Sequence, residues 1–470
     1  MENEIGLWYD GAMARSLASL LVMVPLAAAS ARAADLPAGA ASPAEAMAQC
    51  TVGGITGWMM PGTQTCVKLS GYIEAMFAGG SLSQQWLWSG NQTTYDGTLA
   101  GRALGLAPGA ATWARDAIGL TTRAAFGFDF ASDTSYGPLL GHMDFEMNVG
   151  SGFDSQDANY VNLAWLSWAG LTAGRAPSFF AYVNGGPNWN NIFSPDRLAY
   201  NQPNLLAYTA DLGGGLSASL AMESSFPLPD GPGTNWQSNG VNFLNTGSLD
   251  YAGQRWPDAV ARFKATESWG EAQVAGALHA VQADGFNGFA GAPEARIGTV
   301  GWAFLAGGKL LLPSLGDSDD VQMQAVISRN AIWYSGIPEQ MSNENGQVNG
   351  NGIQQFLADA FFNGVSWGTP TAGSAVILWE HHFSPQVSLT PEASIASLKW
   401  SHDGGLIASS MTSFIGGADL GWQPVTNLAF DLEAMVQTTE QAKPAAYVGL
   451  NRWVANTSGF AGRLRVQRSF

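Results

Sequence analysis

From Cys66 onward, apolar and polar side chains alternate along short stretches separated by clusters of Gly, Asn, Asp and Pro. Val67, Leu69, Ile73 and Phe77 fall on one face of an extended chain, and Lys68, Ser70, Tyr72 and Glu74 on the other. The scheme recurs where Met143, Phe145, Met147 and Val149 oppose His142, Asp144, Glu146 and Asn148, and again where Leu428, Phe430, Leu432 and Val436 oppose Asp431, Glu433 and Gln437. Successive side chains of a strand point to opposite faces, so each stretch is a strand with one greasy side and one wet side. No long stretch carries a convincing helical period.

The pattern predicts strands at 66–79, 116–131, 138–150, 160–169, 171–180, 204–212, 215–224, 257–267, 271–281, 296–312, 320–335, 373–383, 386–400, 408–422, 427–438 and 459–470, sixteen in all. The stretches 171–180 and 386–400 alternate poorly. Connections alternate in length: short ones at 132–137, Ala169-Gly170, Gly213-Gly214, Ser268-Trp269-Gly270, 313–319, Ser384-Pro385 and 423–426 lie between long ones such as 80–115, 181–203, 225–256, 336–372 and 439–458. Outer-membrane barrels have this rhythm of short periplasmic turns and long external loops. In hydrocarbon every backbone polar group must be paired internally, so strands cross only as a closed barrel. The predicted fold is therefore all-β: a transmembrane antiparallel β-barrel of 16 strands over residues 66–470, ending in an alternating segment with Leu464, Val466 and the terminal Phe470.

The N-terminus adds an address. Leu17 to Ala29 is apolar but broken by Pro25, shorter than the roughly 20 residues a spanning helix needs. With Arg15 before it and Ala31-Arg32-Ala33 after it, the run reads as an exported signal peptide over 1–33. The acids Glu2, Glu4 and Asp10 suit no such leader, so Met13 is the expected start, and 34–65 becomes a periplasmic N-terminal segment. In an exported chain the cysteines Cys50 and Cys66 are expected to pair and close a small loop before the first strand; the alternative is two free thiols. Two thiols without neighbouring histidines fall short of a metal site. A net charge of −17 speaks against nucleic-acid binding, which wants clustered Lys and Arg. None of the histidines His142, His279, His381, His382 and His402 sits in a catalytic motif, so an outer-membrane lipase or protease is the weaker reading, and no cofactor is called for.

Blocks along the chain then carry a resemblance: "PGTQTCVKLSGYIEAMF" after Cys50, "GLTAGRAPSFF" at 170–180, "LLAYTADLGGGLSASLAMES" at 205–224, "WGEAQVAGALH" at 269–279 and the closing "RLRVQRSF". Taken in order, they make the chain resemble the porin family of alphaproteobacteria from about Cys50 to Phe470. The resemblance implies a general diffusion porin: a homotrimer of barrels in outer-membrane lipid and lipopolysaccharide, each passing small hydrophilic solutes and ions. It also implies that the third long loop, 181–203, folds inward to narrow the pore. Asp196 and Arg197 are its only charges, where family members often carry more carboxylates, which weakens any strong charge selectivity.

On the wall, the candidates for lumen and constriction are Lys68, Glu74, Arg123, Asp144, Glu146, Arg175, Arg463 and Arg465, with Asp196 and Arg197 from the loop. The basic ones gather because first and last strands become neighbours when a barrel closes. The acidic balance points to a weak cation preference. Trp165, Trp168, Trp302, Trp333, Trp379, Trp400 and Trp422 are candidates for the interfacial aromatic girdle; stacking on sugars in a saccharide-specific channel is the competing reading.

Overall fold

The computed structural model describes residues 48–80, 118–152, 158–183, 202–224, 248–251, 255–286, 295–316, 318–337, 359–362, 366–401, 410–442 and 456–470. The predicted leader at 1–33, Met13, and the loop charges Asp196 and Arg197 lie outside them.

Sixteen strands form one closed antiparallel barrel. We number them β1 Cys66–Gly80, β2 Ile118–Ser132, β3 Leu139–Gly152, β4 Ala158–Trp168, β5 Leu171–Arg175, β6 Asn204–Gly213, β7 Leu216–Glu223 and β8 Asp258–Glu267. The rest are β9 Gly270–Phe286, β10 Ala295–Leu311, β11 Asp320–Arg329, β12 Pro370–Ser384, β13 Val387–Trp400, β14 Ser410–Val425, β15 Leu428–Gln441 and β16 Asn456–Ser469. Each pairs with its sequence neighbours, and β16 returns to β1 with Leu464 opposite Phe77 and Gln467 opposite Glu74. The closure leaves none of the sixteen strands at a free end of the sheet. Phe470 fastens the seam by exchanging backbone hydrogen bonds with Gly71 at 3.0 and 3.3 Å.

Alternation decides which way each side chain faces. On β1, Leu69, Ile73 and Phe77 are about half exposed while Glu74 is buried; on β15, Leu432 and Val436 are exposed while Glu433 is buried. The exposed apolar face is the outside of the barrel, because a lipid-facing side chain has only hydrocarbon to meet. No helix among the described residues is long and apolar enough to cross a membrane, so the crossing belongs to strands.

Turns on the short-loop side follow local chemistry. Ala169 and Gly170 both take positive φ, 50° and 87°, the mirror-image turn that matches strand twist. A Cβ on Gly170 would stand 2.7 Å from the Thr209 carbonyl. Outside the barrel proper, Gln49–Val52 and Ile55–Met59 form a hairpin that extends the sheet beside the start of β1, with the Cys50–Cys66 disulfide joining hairpin to barrel.

Two predicted strands end early. The segment 171–180 leaves the sheet after Arg175, because Pro177 has no N–H to give a ladder. The segment 320–335 stops at Arg329; Asn330 turns left-handed at φ 52° and Ile332–Ser335 coils into a short 3-10 helix.

Candidate functional site: the lumen wall

Inward-facing residues around the seam form a ladder of alternating charge over five neighbouring strands. From β3 to β15 it runs Glu146, Arg123, Glu74, Arg465 and Asp431. Arg123 Nε lies 3.8 Å from Glu146 Oε2 and 3.5 Å from Glu74 Oε1. Arg465 Nη1 lies 4.0 Å from Glu74 Oε2, and its Nη2 lies 2.8 Å from Asp431 Oδ2. Arg123 also donates to Asn148 Oδ1 at 2.8 Å, and the hydroxyls of Tyr72 and Tyr160 donate to the Glu146 carboxylate. Each guanidinium thus stands between two carboxylates, a geometry that suits Arg because its planar fork offers several donors at fixed angles.

Four of the sequence-derived candidates, Glu74, Arg123, Glu146 and Arg465, meet in this ladder. Arg463 faces the same way one step further out, opposite Glu433. Lys68 and Asp144 sit nearer the short-turn end: Lys68 pairs in register with Asp129, and Asp144 accepts the Leu163 N–H at 2.8 Å where the β3–β4 register shifts. Arg175 is not brought to the others. It pairs in register with Ala164 and Asn204 and donates to the Asn162 carbonyl at 2.8 Å. Among the tryptophans, Trp302, Trp379 and Trp422 are exposed on the outer face. Trp400 is buried, Trp333 lies in the 3-10 helix, and Trp165 packs against an inner apolar cluster.

That cluster covers the opposite wall. After Arg175 the chain runs inside the barrel, and Ala176, Phe179, Phe180 and Ala181 bury themselves on Leu205, Ala207, Ala221, Val260, Ala275, Ala277, Ala303 and Leu305, the inward residues of β6 to β10. Backbone groups of this segment are paired by the wall. Glu223 accepts from Phe179 N–H at 2.8 Å and from Ser178 Oγ at 2.7 Å. Gln273 Nε2 donates to the Phe180 carbonyl at 2.9 Å, and Gln324 Oε1 accepts from the N–H groups of Tyr182 and Val183. Of the predicted inward loop 181–203, residues 181–183 and 202–203 are described, and 181–183 follow this course.

A second inward segment joins it. Phe180 meets Tyr334 edge to face at 4.8 Å, and the Tyr334 hydroxyl donates to Asp258 at 2.8 Å. His279 holds both sides, with Nδ1 2.9 Å from Asp258 and Nε2 3.2 Å from Asp359. With a carboxylate at each ring nitrogen, His279 ties Asp258 on β8 to Asp359. Sequence reading missed this group because Asp258 and Asp359 carry no motif; the visible signal was His279 alternating with Ala275 and Ala277 on one face.

A closed barrel with an ionic inner wall and an apolar outer band defines an outer-membrane β-barrel of the channel type. The chain belongs to the porin subfamily, whose family model matches residues 35–458. The protein y4fJ of Sinorhizobium fredii is 30% identical over 206 residues, which are 42% of this chain and 51% of that protein; the chain thus spans about half the length of this relative. The fold is similar to the outer membrane channel DcaP of Acinetobacter baumannii, with a TM-score of 0.57 and 13% identity over 88% of this chain and 99% of that one. It is also similar to Salmonella typhi OmpF, solved in complex with daunomycin, with a TM-score of 0.50 and 10% identity over 87% of this chain and 98% of that one. The protein is an outer-membrane protein.

Proposed function

We infer that the chain forms a water-filled channel for passive diffusion of small hydrophilic solutes and ions, working as a homotrimer after export through a cleaved leader. The observation that carries this reading is the ladder from Glu146 to Asp431: paired, opposite charges face inward on strands that turn leucine, isoleucine and phenylalanine outward. An ionic inner wall is costly to bury in a dry core and inexpensive against water. Sixteen strands enclose an aqueous lumen where about eight enclose only packed side chains, so a solute keeps its hydration while it crosses, and bore and wall charge choose what passes. The net charge of −17 supports a weak cation preference.

Planar-bilayer recording of the purified protein tests this. Ohmic, step-like currents in groups of three are expected, with a small cation-side reversal potential in a salt gradient. Absence of conductance would overturn the channel reading, clear anion preference the selectivity, and block by one sugar would favour the saccharide-specific alternative.

A further inference from the structure

Passive diffusion does not require the cavity beneath the inward segment. About 670 Å³ lies between the roof made by residues 176–182 and the short-turn end of the wall, which is within the range of small-molecule sites. Its two sides differ in chemistry. On β4, Trp165 presents an indole stacked on the His142 ring at 5.6 Å. Further round the wall, β8 and β10 present Arg262, Lys264 and Lys309 to the same cavity, in a chain whose net charge is −17.

Register draws these cations around β9: Lys264 lies opposite Gln273 and Lys309 opposite Glu271. Each lysine spends one contact on a carboxylate, Lys264 Nζ at 2.8 Å from Glu271 and Lys309 Nζ at 2.6 Å from Asp320. An ammonium has three N–H donors, so two on each remain, and the side chains keep 29% and 33% of their surface open. Three cations thus line one cavity, with Glu271 and Asp320 against the lysines and Glu223 near Arg262, and what is left over is the unspent donors of the two lysines. An indole on one side and free ammonium donors on the other match a flat molecule with a negative end.

We propose that this cavity is a binding subsite for small planar organic anions of the aromatic carboxylate class. The carboxylate docks on Lys264 and Lys309, and the ring lies against Trp165. The proposal rests on the channel reading, because the ligand reaches the cavity through the lumen.

Benzoate is the probe, with acetate supplying the charge without the ring and benzyl alcohol the ring without the charge. Calorimetric titration of the full-length protein in detergent reads binding whether or not the channel conducts. Saturable benzoate binding in the millimolar range is expected, about tenfold tighter than either control, with a matching concentration-dependent fall in bilayer current. Lys264→Gln combined with Lys309→Gln should weaken benzoate about tenfold while open-channel conductance persists, and Trp165→Leu should weaken benzoate but not acetate. Benzoate binding no tighter than acetate, or unchanged in the lysine double variant, overturns the subsite. A protein that binds benzoate yet never conducts overturns the channel reading alone.

Discussion

The two halves of the inner wall answer to different neighbours. From β14 round the seam to β3, inward positions are Asp419, Asp431, Arg465, Glu74, Arg123 and Glu146; from β6 to β10, they include Ala207, Ala221, Ala275, Ala277 and Ala303. Both halves belong to one sheet and share the same outer face of Leu, Phe, Ile and Trp. What changes is the content of the lumen. Where the chain's own segment 176–181 is laid on the wall, small residues let the backbone approach and bury apolar area; where no such segment is described, charges pair with each other along the sheet. The inner face of a barrel is therefore specified locally by what it touches, while its outer face is specified everywhere by lipid.

The largest test removes the keystone of the covered half. Phe180 has none of its surface exposed and touches Tyr334 at 4.8 Å. Phe180→Ala should cost the inward segment about 3–5 kcal/mol of packing, freeing residues 176–183 from the wall. Higher single-channel conductance and new protease cleavage near 176–183 are expected; unchanged values of both would show that the segment is held by its polar contacts instead.

Those polar contacts give the next effect. Glu223→Ala leaves the Phe179 N–H and Ser178 hydroxyl without their acceptor, a loss of about 1–3 kcal/mol for a buried unsatisfied donor. Protease sensitivity should rise less than in Phe180→Ala. Glu223→Gln keeps an acceptor oxygen and should fall between this variant and the parent, a ranking that limited proteolysis can read.

On the uncovered half, Arg465→Gln removes the positive rung between Glu74 and Asp431. A unit charge acts on an ion at 4 Å by about 1 kcal/mol in water, so cation permeability should rise and anion permeability fall, each by roughly fivefold at most. The same substitution leaves the covered half untouched, and its protease pattern should match the parent. A shift toward anions would contradict the ladder's place on the conducting path.

The division between the halves also marks what the amino-acid order made legible. All sixteen strands could be found because lipid imposes one rule on every outer position, from Leu69 on β1 to Leu464 on β16. The C-terminal Phe470 was legible for the same reason. Strand ends were legible only where turn residues mark them, and 171–180 and 320–335 were read too long because leaving the wall depends on what the segment packs against. Within β13, Pro391 blurred the alternation: pairing with β12 breaks off after Leu378 opposite Glu392 and resumes at His381 opposite Leu389, since Pro391 has no N–H to pair. In the site, Glu74, Arg123, Glu146 and Arg465 were visible as polar beats on neighbouring strands. Arg262, Lys264, Lys309 and Asp359 were not, because their roles arise from an inward segment whose course no local pattern announces. Trp165 reads as a girdle residue by type and faces inward by register.

The smallest effect concerns the turn that closes β10 to β11, which belongs to neither half. Asp319 accepts from the His382 backbone N–H at 3.0 Å and lies 2.6 Å from His381 Nδ1. The His381 hydrogen bond, with the His382 N–H after it, holds the Asp319 carboxyl below the ordinary carboxylate range. A carboxyl lowered by folding contributes stability at every pH above its unfolded value and loses it as pH falls through the lowered one. The tie should therefore be intact at neutral pH and released only below the ordinary carboxylate range, loosening residues 312–319 while the barrel stays closed. Hydrogen exchange across that turn, followed as pH is lowered, should show protection falling in the parent and a constant, lower protection in Asp319→Asn. Equal pH dependence in both proteins would place the titrating group elsewhere.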